Sequence, residues 1–240
     1  MIALIASSQL LISQVTGAPF QVNTFNDPAD QRSDQEAPAI AADTAGNFVI
    51  TWQSHRQDGD RTGFYSQRYG SDGSPLGDEF RVTTTTADQQ ENPDVAMDAS
   101  GNFVVIWEGE GSDPARGEGA DSDRGIFGQR YDSTGNPLGV EFQINTTIKA
   151  TQSDTMVAMD ASGNFVVAWG SRLANNTSYH VFIQRYDAQG VAQGEESLVT
   201  TADVSTDAKL DVAMDASGNF VVVWSTEVNS KNNDNIMAQR

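Results

Sequence analysis

The sequence predicts an all-β protein, a β-propeller of four-stranded blades, and three observations support this prediction. A run of the form Gly-Asn-Phe-Val-x-x-Trp occurs four times and contains every Trp of the chain. A second motif, Gln-Arg-Tyr, occurs three times, and Gln-Arg stands at a fourth equivalent place. No segment shows a convincing helical period. Repetition at this length indicates one structural unit used several times. The Trp motif occupies residues 46–52, 101–107, 163–169 and 218–224, and the second motif residues 67–69, 129–131, 184–186 and 239–240.

The spacing of the Trp residues locates the one insertion in the repeat. Successive Trp residues are 55, 62 and 55 positions apart. The extra residues of the second unit fall within residues 108–125, which are rich in Gly and Asp. Since loops tolerate changes of length and strands do not, this stretch is predicted to be a loop.

Four strands are predicted in each unit, and the second unit shows them most clearly. Residues 94–98 and 103–107 form a hairpin around a tight turn at residues 99–102, in which Gly101 is free to adopt positive φ. Residues 126–131 form the third strand. Turn-forming residues follow, and residues 141–145 form the fourth strand.

The second strand of each unit is apolar on both faces. Phe103, Val105 and Trp107 point to one face, and Val104 and Ile106 point to the other. Such a strand must lie between two neighbouring sheets. Stacked propeller blades provide this environment, whereas strands of a sandwich have one solvated face.

Two incomplete units at the chain ends predict how the ring closes. Residues 17–24 match residues 139–146 and therefore resemble a fourth strand, while the last unit supplies three strands. We predict one propeller domain over residues 18–240 with four blades, in which the N-terminal strand completes the last blade. The alternative is a partial propeller that closes by association or within a longer chain. The predicted blades comprise residues 37–84, 93–146 and 155–201, and a composite of 18–24 with 208–240.

Composition limits the chemistry and the partners. A net charge of −19 disfavours nucleic acid and anionic membrane surfaces. The absence of Cys excludes disulfides and thiol catalysis, and two His residues are too few for a His-rich metal site. Residues 1–17 are predicted to be an extension with features of an atypical signal peptide, too short and polar to span a bilayer. An extracellular or cell-surface location is expected.

The repeated strings resemble a known group of proteins. Val95-Ala-Met-Asp98-Ala-Ser-Gly101-Asn-Phe-Val is similar to the hairpin of NHL-type and related bacterial β-propeller repeats, and Gln-Arg-Tyr-Asp-x-x-Gly resembles their third strand and turn. The strings are also similar to tandem repeats of large secreted cyanobacterial and marine bacterial proteins. The resemblance implies a propeller and leaves the function open, because these families bind proteins, sugars or RNA, and a few are enzymes. The sialidase Asp-box spacing is not matched.

Polar and aromatic residues present in every unit are predicted to stabilise the fold. The Asp residues are expected to close turns through backbone amides, and the Arg stems are expected to pack between blades. The set comprises Asp43, Asp98, Asp160, Asp215, Trp52, Trp107, Trp169, Trp224, Arg68, Arg130, Arg185 and Arg240.

Function is predicted where the units differ, in the loops between second and third strands. The longest loop, residues 108–125, is acidic and Gly-rich, and Asp58 and Asp60 form a weaker second acidic cluster. Closely spaced oxygen ligands on a Gly-rich loop are what Ca²⁺ requires. Neither cluster has the spacing of an EF-hand. No cofactor is predicted other than this Ca²⁺ ion. The candidate ligand-binding residues are Glu108, Glu110, Asp113, Glu118 and Tyr179, and the candidate metal ligands are Asp113, Asp121, Asp123, Asp58 and Asp60.

We predict a non-enzymatic scaffold that binds a protein or glycan, as a monomer or by self-association, and we expect that the chain is not an enzyme. A Ca²⁺-assisted lectin-like adhesin module is the first alternative. A glycosidase-like propeller enzyme that uses paired carboxylates is the second alternative.

Overall fold

The computed structural model describes residues 18–25, 34–57, 59, 62–84, 90–110, 124–146, 151–172, 179–200, 209–227 and 234–240. Within these ranges the chain forms fifteen strands in four antiparallel sheets and no helix. The prediction of an all-β propeller with four blades is confirmed. Among the described residues, no helix has the length and apolar character needed to cross a bilayer.

Each sheet is one blade whose strands pair in chain order. Blade 1 contains β1 (Gln35–Ala42), β2 (Phe48–His55), β3 (Thr62–Tyr69) and β4 (Phe80–Arg81). Blade 2 contains β5 (Gln90–Met97), β6 (Phe103–Glu110), β7 (Arg124–Tyr131) and β8 (Phe142–Gln143). Blade 3 contains β9 (Gln152–Met159), β10 (Phe165–Arg172), β11 (Tyr179–Tyr186) and β12 (Ser197–Leu198). Blade 4 contains β13 (Leu210–Met214), β14 (Phe220–Glu227) and β15 (Asp234–Gln239), and residues 18–25 form no strand.

One face of the propeller, which we call the turn face, carries the hairpin between the first and second strands of every blade. In blade 2 the Asp98 carboxylate accepts hydrogen bonds from the backbone N–H groups of Ser100 (2.8 Å) and Asn102 (2.9 Å). Gly101 adopts a φ of 85°, which favours glycine because it has no Cβ. Equivalent bonds to the Asp carboxylate occur in the other blades, at Asp43, Asp160 and Asp215.

The repeated Arg residues of blades 1 and 2 reach the next blade from the same face. The Arg68 guanidinium donates to the carbonyl oxygen of Thr134 in blade 2. The Arg130 guanidinium donates to the carbonyl oxygens of Ala188 (2.7 Å) and Gln189 in blade 3. These hydrogen bonds join blade 1 to blade 2 and blade 2 to blade 3.

A β-bulge interrupts the first strand in blades 1 to 3. The pairing register shifts between Glu36 and Ala39 in β1, and likewise in β5 and β9. A bulge re-aims the side chain that it carries. At its centre stand three non-glycine residues with positive φ: Ala37 (48°), Asn92 (55°) and Asp154 (53°). These strands begin at residues 35, 90 and 152, two or three positions before the predicted blade starts, because the bulge breaks the alternation that marks a strand.

The core consists of three apolar clusters, each between consecutive blades. In β6, Val104, Val105 and Ile106 are fully buried and Trp107 is 1% exposed, which confirms the prediction of a strand covered on both faces. Among the described residues, no cluster joins blade 4 to blade 1. The apolar clusters of the described residues thus lie at three blade junctions, 1–2, 2–3 and 3–4.

Candidate active site

Glu108 lies at the end of β6, on the face opposite the turn face, which we call the loop face. It continues the row Val104, Ile106, Glu108 that points toward blade 3, so a carboxyl group stands where the pattern would place an apolar residue. Its side chain is only 1% exposed. Burial of a carboxyl group is costly unless it is bonded or protonated.

The surroundings of Glu108 favour its protonated form. Oε1 accepts hydrogen bonds from the Asn92 side-chain amide (3.0 Å) and the backbone N–H of Asp154 (2.7 Å). Oε2 accepts no hydrogen bond from a described residue and lies 3.6 Å from Arg124 Nη1. Burial raises the pKa of Glu108 to about 7, with the Asp154 charge acting in the same direction and the two hydrogen bonds and Arg124 opposing it. A large fraction of Glu108 is therefore protonated at neutral pH.

Asp154, the bulge residue of β9, supplies the second carboxylate. Its Oδ2 accepts a hydrogen bond from the Tyr179 hydroxyl (3.0 Å), and its Oδ1 lies 3.5 Å from Lys209 Nζ of blade 4. The Tyr179 hydroxyl also contacts Ser153 Oγ. Burial raises the pKa of Tyr179, so this hydroxyl remains a neutral donor to Asp154.

The cluster becomes more exposed from Glu108 outward. The side chains of Asp154, Arg124 and Glu91 are 24%, 27% and 32% exposed, and that of Lys209 is 86% exposed. Arg124 Nη1 lies 2.6 Å from Glu91 Oε2, so it joins an outer carboxylate to the buried one. The cluster is therefore reached from solvent on the loop face, beside Asp154. We call Glu91, Asn92, Glu108, Arg124, Asp154, Tyr179 and Lys209 the carboxylate cluster.

Two of the predicted ligand-binding residues lie in this cluster, although not as predicted. Glu108 and Tyr179 come together through Asp154, but both belong to strands and are buried, with Tyr179 only 4% exposed. Tyr179 therefore offers its hydroxyl to Asp154 and no exposed ring for stacking on a sugar. Glu110 ends β6.

The remaining predicted site residues lie outside the described residues. They are Asp113, Glu118, Asp121, Asp123, Asp58 and Asp60, and the side chain of Glu110 is outside the description as well. Within the part of the chain that is described, no three His, Asp or Glu residues are grouped to hold a metal ion.

Sequence reasoning missed five residues of the cluster: Glu91, Asn92, Arg124, Asp154 and Lys209. A signal for three of them was present, because Asn92, Asp154 and Lys209 each stand six residues before the turn Asp of their own blade. Blade 1 has Ala37 at that position. Comparison of the repeats at each position, including the strands, would have found this variable place.

No protein-family model and no curated protein matches the chain. Solved structures do match. An endo-arabinase from Bacteroides thetaiotaomicron is 13% identical with a TM-score of 0.50, over 89% of this chain and 78% of its own. The Hadza microbial sialidase Hz136 is 14% identical with a TM-score of 0.58, over 86% and 44%. A GH93 α-L-arabinofuranosidase of Fusarium graminearum is 13% identical with a TM-score of 0.55, over 86% and 58%. The chain thus spans about half the length of the last two.

These comparisons contradict two predictions. The predictions of a non-enzymatic scaffold and of a chain that is not an enzyme are both wrong, because the matching structures are an endo-arabinase, an α-L-arabinofuranosidase and a sialidase. The predictions looked for functional residues in exposed loops, because loops differ most between the repeats. The residues of the carboxylate cluster lie mainly on strands. At these identities the likeness itself shows the propeller fold.

Proposed function

We propose that the chain hydrolyses glycosidic bonds at the carboxylate cluster. The observation that carries the proposal is the pairing of a buried Glu108, whose pKa is raised to about 7, with Asp154, whose backbone N–H donates to Glu108. Glycoside hydrolysis requires one carboxylic acid to protonate the leaving oxygen and a second carboxylate to act as nucleophile or to activate water. Two carboxyl groups in unlike surroundings are suited to these two roles.

Glu108 is the general acid in this proposal. Its raised pKa keeps a proton available near neutral pH, and Oε2 has no described hydrogen-bond donor that would compete for it. Since the side chain is almost fully buried, a substrate that enters beside Asp154 must displace Arg124 to reach Oε2. Glu91 provides a second anchor that can hold the displaced guanidinium.

Asp154 is the second carboxylate. The Tyr179 hydroxyl and the Lys209 ammonium hold it from two sides, and the bulge fixes its backbone. Tyr179 is thus a positioning residue that orients Asp154.

Arabinose-containing glycans are the first substrate class to test, because two of the matching solved structures are an endo-arabinase and an arabinofuranosidase. Sialosides are the second, since a sialidase also matches. Linear arabinan, p-nitrophenyl α-L-arabinofuranoside and a p-nitrophenyl sialoside should be incubated with the full chain and with Glu108→Gln. Gln stands at the equivalent position of blade 1, Gln53, so the fold accommodates this side chain.

The expected result is release of sugar by the wild-type chain that Glu108→Gln reduces ~10²–10⁴-fold, the usual contribution of a general acid. Glu195→Gln, an exposed change on the outer part of blade 3, is the matched control and should retain activity. Binding of these glycans without hydrolysis would favour the lectin-like alternative. Equal activity of the wild type and Glu108→Gln would disprove the assigned site.

A further inference from the structure

Gly170 stands directly after the motif Trp of blade 3, where blade 2 has Glu108, and it is buried within β10. Its φ is not positive, so the backbone does not require glycine at this position. A glycine inside a strand often marks a place that another part of the molecule approaches closely. At Gly170 the approaching group is the aromatic ring of Tyr179.

The Tyr179 ring occupies the space that a side chain at position 170 would need. A Cβ atom built on Gly170 would meet two ring carbons and the hydroxyl oxygen of Tyr179, all closer than real Cβ atoms approach other atoms. At three other strand glycines such a Cβ would lie 3.0 Å or more from the nearest atoms of the rest of the chain: Gly109, Gly125 and Gly128. The overlap is therefore specific to Gly170 among these four strand glycines.

The order of the strands explains why the Tyr179 side chain crosses Gly170. In blade 3, β10 lies between β11, which carries Tyr179, and β9, which carries Asp154. Gly170 pairs with Ser153 of β9. The Tyr179 side chain therefore passes over Gly170, contacts Ser153 Oγ and donates a hydrogen bond to Asp154 Oδ2 (3.0 Å). A side chain at position 170 would block this path.

The other blades distribute bulk differently between these two positions. Because Tyr179 pairs with Arg172, two residues beyond Gly170, residues 170 and 179 are diagonal neighbours on one face of the sheet. The equivalent residues are Glu108 with Arg124 in blade 2, and Gln53 with Thr62 in blade 1. Of the four residues that follow a motif Trp, only Gly170 lacks a side chain. The space that it leaves allows the large residue at position 179 to lie across β10.

We propose that Gly170 is a positioning residue of the carboxylate cluster: it leaves the surface of β10 open, so that Tyr179 reaches across the strand and orients Asp154. Gly170 acts through Tyr179 in this role and touches no reacting atom. The catalytic part of the role rests on the proposed function. The packing of Tyr179 on Gly170 can be tested without a substrate.

A cycle of variants tests this packing through the melting temperature. Gly170→Ala should lower the melting temperature, because the added methyl group pushes the Tyr179 ring aside. In the Tyr179→Thr background the same change should leave the melting temperature unchanged or raise it, because Ala is favoured over Gly in a strand once the space is free. Thr62 stands at the equivalent position of blade 1, so the strand accommodates this residue.

Gly128→Ala is the matched control, since it also adds a methyl group to a buried glycine of a strand, with the nearest atom 3.2 Å away. Its effect on the melting temperature should be the same with and without Tyr179→Thr. If Gly170→Ala likewise had one and the same effect in both backgrounds, Tyr179 would not depend on the space at Gly170 and the proposal would be overturned.

The ionisation of Tyr179 gives a second measurement without a substrate. Burial raises the pKa of Tyr179 above its ordinary value of 10. Gly170→Ala should move the ring toward solvent and bring this pKa down toward the ordinary value. NMR titration of protein labelled with ¹³C at tyrosine Cζ measures the change, and the Tyr179 signal is identified by its absence in Tyr179→Phe. An unchanged titration of Tyr179 in folded Gly170→Ala would overturn the proposal.

The catalytic part is tested on the arabinoside that the wild type hydrolyses fastest. Gly170→Ala should lower kcat roughly tenfold with KM little changed, as expected when a catalytic group is misplaced and binding is kept. Gly170→Ala and Tyr179→Phe together should cost no more than the larger single loss, because both remove the same contact to Asp154.

Additive losses of kcat would overturn the positioning role, and so would an unchanged kcat in Gly170→Ala whose Tyr179 titration has shifted. If the wild type hydrolyses none of the glycans, the proposed function fails. The melting temperatures and the Tyr179 titration then still decide whether Gly170 provides the space for Tyr179.

Discussion

The turn face and the loop face use the fourfold repeat in opposite ways. On the turn face the same Asp accepts the same backbone hydrogen bonds in every blade, from the N–H groups two and four residues further along the chain. On the loop face the first-strand bulge repeats in blades 1 to 3, yet it carries Ala37, Asn92 and Asp154 in turn. The hairpin turn thus keeps its hydrogen bonds in all four blades, whereas the bulge occurs in blades 1 to 3 and carries a different side chain in each.

This difference shows that a repeat protein can carry one cluster of polar residues at a single junction between otherwise similar blades. The residue after the motif Trp varies in the same manner, as Gln53, Glu108, Gly170 and Ser225. Only blade 2 has a carboxyl group after the motif Trp, and only blade 3 has one at the bulge. These two residues meet at the junction of blades 2 and 3, where Glu108 accepts a hydrogen bond from the backbone N–H of Asp154. Changes on the turn face should therefore alter stability, and changes on the loop face should alter activity.

The largest expected effect is on the loop face, from Asp154→Asn. The change removes the negative charge and keeps the shape, and Asn92 shows that the same bulge accepts Asn in blade 2. Hydrolysis should fall ~10²–10⁴-fold while the free energy of unfolding changes little. Initial rates on the arabinoside that the wild type hydrolyses fastest measure the activity, and urea unfolding curves measure the stability. A loss of activity that merely follows a loss of folded protein would remove the distinction between the faces.

The next effect is on the turn face, from Asp98→Ala. The change deletes three hydrogen bonds to a carboxylate that is 6% exposed, and should lower the free energy of unfolding by roughly 2–3 kcal/mol. The equivalent change in blade 4, Asp215→Ala, affects an exposed carboxylate and should cost less. The folded fraction of Asp98→Ala should retain its catalytic rate, and urea denaturation with activity normalised to folded protein measures this.

The pH dependence of stability offers a test without substrate. The pKa of Glu108 rises from its ordinary value of 4.5 to about 7 on folding, so the folded state binds more protons between these values. The stabilisation is complete below pH 4.5 and is lost as pH rises through about 7, an effect of roughly 3 kcal/mol.

Urea unfolding at pH 5 and pH 8 should show this loss in the wild type and a smaller one in Glu108→Gln. Burial also raises the pKa of Asp94, so the free energy of unfolding of the variant should still decrease somewhat as the pH rises. The exposed turn residues Asp72, Asp132 and Asp215, whose pKa values hydrogen bonds lower, titrate below this window. If the free energy of unfolding changed equally with pH in the two proteins, Glu108 would be ionised in the folded state at both pH values.

A smaller effect is expected from Tyr179→Phe. The variant keeps the buried ring and loses the hydroxyl that orients Asp154, so kcat should fall roughly tenfold with KM little changed. The control is Tyr186→Phe, whose hydroxyl donates to a backbone carbonyl away from the cluster. Equal kinetic changes in the two variants would assign Tyr179 to packing alone.

The sequence predicted the architecture well because the architecture repeats. Four copies of the hairpin and of the two-sided strand indicated stacked blades, and Val104, Val105 and Ile106 are as buried as that pattern requires. The site was predicted only in part. Glu108 was selected for its place in an acidic loop, but its importance comes from burial against Asp154 of the next blade. A contact across a blade junction depends on the angle between blades, which no local pattern shows.

The most direct test of the central claim compares two arabinosides that differ in leaving group, acted on by the wild type and Glu108→Gln. An arabino-oligosaccharide needs a proton on its departing oxygen, whereas a dinitrophenyl group departs without one. If Glu108 is the general acid, kcat/KM of the variant should fall ~10²–10⁴-fold on the oligosaccharide and less than about tenfold on the dinitrophenyl arabinoside. Equal losses on the two substrates would contradict this role for Glu108.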